Sequence, residues 1–161
     1  MRQIFLIVIF TLILFAIEFL LFHLIGRWGM PNLLLLLVIF FTLYSGIRYG
    51  LLTAFVAGFV RDSFSIAPVG THILAFVLCA YGTSFLKTYI YHNNSRTSRL
   101  LLVFVISLLN LTVLFFLNFR IVSFPIVQAF QNIFIPEIIT TLVVTHFVFY
   151  HLKTCVSKFY V

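Results

Sequence analysis

Residues 4–25 read IFLIVIFTLILFAIEFLLFHLI, an apolar run interrupted only by Thr11, Glu18 and His23. At about 1.5 Å of rise per residue such a run makes a helix long enough to cross the hydrocarbon core of a bilayer. Arg2 in front of it resembles the start of a secretion signal. The run outlasts a signal's apolar region, however, and no small-x-small cleavage site follows, so it reads as a first retained membrane helix. The rest of the chain repeats the pattern. Of 161 residues, 63% are hydrophobic and 8% charged, whereas a soluble domain carries about 25% charged residues. A water-soluble fold exposes about half of its residues and could not hide this much apolar surface. The expectation is an all-α integral membrane protein, one transmembrane domain over residues 1–161 with no extramembrane domain of any size.

Six spans emerge from the apolar runs and their punctuation. They cover about residues 3–25, 31–45, 50–64, 70–91, 100–119 and 136–152. The first ends at Gly26-Arg27-Trp28-Gly29, a turn with an aromatic interface anchor. Pro31 and Pro136 open the second and sixth, a position that suits proline. Gly46-Ile47-Arg48-Tyr49-Gly50 is a tight connection, and Ser65 to Gly70, with Pro68, breaks the third span from the fourth. His92 to Arg99 reads as a solvated loop. Residues 120–135, with Arg120, Pro125, Gln128, Gln131 and Asn132, read as an interfacial segment or part of a span. No internal repeat is visible.

The net charge is +7, yet the Lys and Arg residues stand singly between apolar runs instead of forming one basic face, which excludes a nucleic-acid partner. They orient the chain instead. With both termini cytoplasmic, Arg2, Arg48, Lys87, Arg96, Arg99, Lys153 and Lys158 lie inside and Arg27, Arg61 and Arg120 outside. A five-span alternative makes the short third run re-entrant. Cys79 and Cys155 imply no disulfide framework.

The chain has three acidic residues, Glu18, Asp62 and Glu137, and ionisable groups at membrane depth tend to be paired or functional. On the third helix, Gly50, Ala57 and Arg61 fall within about 40° of one another, with Ala54 and Gly58 beside them and Asp62 continuing that side. Leu52, Phe55, Val56 and Phe59 take the other. Small residues let another helix backbone approach closely. At the end of that face, Arg61 either snorkels to the headgroups while Asp62 caps the break, or both touch a ligand or partner. Glu18 either pairs with a basic residue on another helix or titrates. Glu137, directly after Pro136, suits the positive end of a helix dipole.

His72, His92, His146 and His151 form no metal-ligand spacing with a carboxylate or thiolate. There is no phosphate loop, nucleophile elbow or HExxH motif. Neither an enzyme nor a cofactor or metal site is expected.

Gly58-Phe59-Val60-Arg61-Asp62-Ser63-Phe64-Ser65-Ile66-Ala67-Pro68-Val69-Gly70 resembles the signature of the MreD family of bacterial rod shape-determining membrane proteins. There a small-residue helix ends in a Gly-hydrophobic-hydrophobic-x-Asp pattern, then a break and a Gly open the next apolar helix. Pro31, the basic loop with Arg96 and Arg99, and Pro136 agree with that layout. Arg61 stands where the family more often has an uncharged residue. The resemblance implies a six-transmembrane-helix bundle similar to the S-components of energy-coupling-factor transporters, in the bacterial cytoplasmic (inner) membrane. It further implies a scaffold or adaptor of the cell-elongation complex, which binds MreC and works with MreB, RodA and its penicillin-binding partner in lateral peptidoglycan synthesis. The alternative is a vitamin-transporter S-component itself, which would need a closed pocket of convergent polar groups. Asp62, Arg61, His72, Gln128 and Asn132 are the few residues that could supply one. A carrier coupled to protons or ions through Glu18 is a third class, and an isolated carboxylate does not make a relay.

Overall fold

A computed structural model describes residues 2–25, 30–65, 68–90, 96–118 and 135–159, and among them the chain is wholly helical. The helices are α1 (Arg2–Ile25), α2 (Leu33–Tyr44), α3 (Ile47–Ser63), α4 (Thr71–Ile90), α5 (Arg96–Asn118) and α6 (Ile135–Phe159). The Gly26–Gly29 turn, Ile66 and Ala67, His92–Ser95 of the polar loop, and the segment expected at the interface up to residue 134 lie outside the described residues. So do the side chains of Arg2, Lys153, Cys155 and Lys158.

Stretches Ile4–Leu24 of α1 and Thr97–Leu117 of α5 are long and apolar enough to cross a membrane. The apolar helix Leu33–Tyr44 is shorter, about 18 Å by its rise per residue. It forms the centre of the bundle. Every residue from Leu33 to Leu43 is 5% exposed or less, and α2 packs against all five other helices. α3 lies between α2 and α4, α4 against α5, and α5 against α6.

Local sequence sets the helix ends. Asn32 caps α2, its Oδ1 accepting from the Leu35 amide at 3.1 Å, as a short polar side chain at that position does. At the other end of α2, Lys87 Nζ of α4 donates to the Leu43 carbonyl at 2.6 Å, pairing one of the carbonyls a helix end leaves open. Gly46 has φ +93°, a left-handed value that favours glycine. It lets α3 begin at Ile47, three residues before the expected start. α5 opens at Arg96, so Arg96-Thr97-Ser98-Arg99 form a first helical turn where a loop is expected. The first four amides of a helix need no helical partner, so short polar residues such as Thr97 and Ser98 fit there. α6 runs to Phe159, past the expected Leu152.

Polar side chains inside the bundle turn back on their own helices. Buried Thr11, Thr42, Thr53, Thr83 and Thr145 each donate to the carbonyl four residues earlier, at 2.6–2.7 Å. Without water, such bonds satisfy the hydroxyl locally.

Candidate functional site

The break between α3 and α4 is organised by Asp62. Its Oδ2 accepts from the amides of Gly70 (2.8 Å) and Ile73 (3.3 Å), and its Oδ1 from the His72 amide (3.0 Å). His72 Nδ1 stands 2.8 Å from the same Oδ1. A carboxylate from one helix thus fills the N-terminus of the next, where unpaired amides and the helix dipole favour an anion. Gly70 makes this possible: its φ of +103° turns its amide toward Asp62 in a conformation a side chain would strain.

One residue earlier, Arg61 faces the other way. Its Nη1 lies 2.9 Å from Glu18 Oε1 on α1 and donates to Asn32 Oδ1 at 2.9 Å. Asn32 Nδ2 in turn donates to Glu137 Oε1 on α6 at 3.1 Å, and the Asn32 amide donates to Thr141 Oγ1 at 3.1 Å. One guanidinium and one amide therefore connect α1, α2, α3 and α6. Glu18 reaches this place because it continues the inward stripe of Ile7, Thr11 and Leu14, all buried, at spacings that repeat one helical face. Glu137, Thr141 and Thr145 make the equivalent stripe on α6, with the two threonines buried. Glu18 is 3% exposed, and the Leu33 and Leu34 amides lie close to its carboxylate. Its Oε2 receives no hydrogen bond.

The small-residue face of α3 is enclosed in the same bundle. Gly50, Ala54, Ala57 and Gly58 are all buried, while Phe55 and Phe59 on the other side are 57% and 54% exposed. A Cβ on Gly58 would stand 2.5 Å from the Cα of Ile73 on α4. A Cβ on Gly50 would overlap Thr42 Oγ1 on α2 and lie 2.9 Å from Thr42 Cβ. These glycines set how closely α3 approaches its neighbours. Gly58, Arg61, Asp62 and Gly70 gather at one end with Glu18 and Glu137. Gly50, twelve positions before Asp62, lies about 18 Å away along the helix.

Asn32 and Thr141 complete the site without having been expected there, and His72, expected only as a possible pocket residue, joins them. Asn32 carried a signal, as a cap-type residue between Pro31 and a run of leucines. For His72 and Thr141 only the fold supplies the partner.

Among the described residues no group of three or more His, Cys, Asp and Glu side chains could hold a metal ion. An apolar groove of about 420 Å³ opens between α1 and α6, lined by Phe10, Ile13, Ile17, Leu33, Val144 and Phe147. The polar cluster ties α1, α2, α3 and α6 together.

Compared with known families, the chain matches a family described as rod shape-determining protein MreD over residues 1–157. No curated protein matches the chain, and no solved structure does.

Proposed function

The chain belongs to the MreD family, which implies a role in rod shape determination, and from that premise we propose that it is a non-enzymatic scaffold of the bacterial cell-elongation complex. The family functions within the shape-determining complex with MreC and MreB. In this reading the six helices all cross the inner membrane, in a bundle like that of the transporter S-components, with both termini cytoplasmic. The chain holds an MreC-like single-span protein within the bilayer and so supports lateral peptidoglycan synthesis by RodA and its penicillin-binding partner.

The observation that carries this reading is the engagement of the acidic residues. Glu18, Asp62 and Glu137 each bond to another helix or helix end of the same chain. Groups engaged in this way hold the helices in one shape. Gly50, Ala54, Ala57, Gly58, Arg61, Asp62 and Gly70 act on the partner by fixing that shape, because the small face itself is covered by α2 and α4. A partner helix meets outward residues such as Phe55 and Phe59.

Copurification from membranes tests the proposal. An MreC-like single-span protein should accompany the wild-type chain. Gly58→Leu and Asp62→Ala should reduce that recovery while the chain still inserts. Unchanged recovery in both variants places the interface outside the reach of the α3–α4 corner. A stoichiometric vitamin or a cytoplasmic ATPase pair in place of the single-span protein would favour the transporter component instead.

A further inference from the structure

Among the described residues, the cluster around Arg61 carries two carboxylates and one cation, and its hydrogen bonds leave that imbalance in place. Asn32 Oδ1 already accepts from the Leu35 amide and from Arg61, which fills both lone pairs. Its Nδ2 must then face Glu137, as observed at 3.1 Å. Arg61 Nη1 has two hydrogens, and Glu18 and Asn32 take them. Glu137 bonds to the Asn32 amide and also feels the Arg61 charge, while Glu18 keeps a buried Oε2 without a hydrogen bond, with the Leu33 and Leu34 amides close to its carboxylate. Among the described residues the remaining ionisable neighbours are Asp62 and His72, which pair with each other on the α4 side of Arg61, and the described side chains of α5 bring no titratable group into these contacts.

A net negative charge enclosed between helices is costly, and a buried carboxylate oxygen that receives no hydrogen bond is costlier when ionised than when neutral. We propose that Glu18 and Glu137 hold one proton between them, making the junction of α1, α2, α3 and α6 a proton-binding site. With the proton bound, one anion balances one guanidinium and the cluster is neutral. The proton belongs to the coupled pair and not to either residue. A metal ion is the poorer occupant, because Arg61 already brings a positive charge to the centre and no three-ligand group is present among the described residues. When the proton leaves, two anions repel across Asn32. That strain falls on α1 and α6, the helices that border the apolar groove, so proton loss loosens this side of the bundle.

Infrared spectroscopy of the whole chain in detergent micelles reads the proton directly, because only three acidic side chains contribute. A protonated-carboxyl band should be present at neutral pH and vanish on alkaline titration. Glu18→Gln and Glu137→Gln should each abolish it, since either leaves one carboxylate for one guanidinium, and Asp62→Asn should retain it. No such band in the wild type, or its survival in both Gln variants, overturns the proposal. Thermal unfolding gives a second measure. Each single Gln variant should stay near the wild-type midpoint at neutral pH and lose the wild type's decline at alkaline pH. The Glu18→Gln, Glu137→Gln double variant should fall much further, because Arg61 then has no counter-charge. Single variants as unstable as the double overturn the proposal. So does a wild type that lacks the band and is stabilised by sodium or calcium chloride, which would place a cation in the site.

Discussion

α1 and α2 are nearly indistinguishable as sequences and occupy opposite environments. Both are dominated by Leu, Ile, Val and Phe and hold a single threonine; α1 adds Arg2, Gln3, Ala16, Glu18 and His23, and α2 adds Tyr44. Yet α2 is enclosed on every side, whereas α1 buries Ile7, Thr11, Leu14 and Glu18 and exposes Phe5 and Leu24 by 68% and 81%. In water the outward face of a helix must be polar, so amphipathic pattern reports burial. In lipid the outside is as apolar as the core, and that report is lost. What places α1 is one stripe that ends in a carboxylate, and what places α2 is its shortness and the small residues of α3 facing it.

That difference can be tested at both helices by unfolding the protein in mixed detergent micelles. The largest effect should come from Arg61→Ala, which leaves Glu18 of α1 enclosed without its partner. Breaking an enclosed pair on one side costs about 3 kcal/mol. Leu36→Ala at the centre of α2 should cost about 2 kcal/mol, toward the low end for a core leucine. Lipid tails are as apolar as leucine, so only the cavity and lost packing count. Leu12→Ala on the 53% exposed side of α1 should stay within about 0.5 kcal/mol, as surface changes do. Equal losses for Leu36→Ala and Leu12→Ala would mean that α2 is not the enclosed helix. An Arg61→Ala variant as stable as the wild type would mean that Glu18 does not hold α1 to the bundle.

Parts of the site are legible in the sequence. Three acidic residues in a chain this apolar mark themselves, because each must find a partner at membrane depth. Gly58, Asp62 and Gly70 carried the family pattern, and α3's small face followed from helical spacing alone. Two residues on α1 gave a fainter sign: Thr11 and Glu18 are seven apart, hence on one face. The partners were not legible. Arg61 allowed a headgroup or a ligand, and it meets Glu18, forty-three positions earlier, and Asn32. Asp62 caps a helix whose first residue is nine positions away, a distance over which local capping rules have no reach.

The sequence by itself determined that this chain is helical and built for a bilayer, where its polar exceptions fall, and that α3 has a side fit for close approach. Those features depend on composition and on spacing within one helix. Only the tertiary structure decided that α2 is the centre, that the small face is covered by α2 and α4, and that Glu18, Asn32, Arg61 and Glu137 share one junction. Such choices depend on which helices meet, and in lipid no difference between an apolar inside and a polar outside announces them.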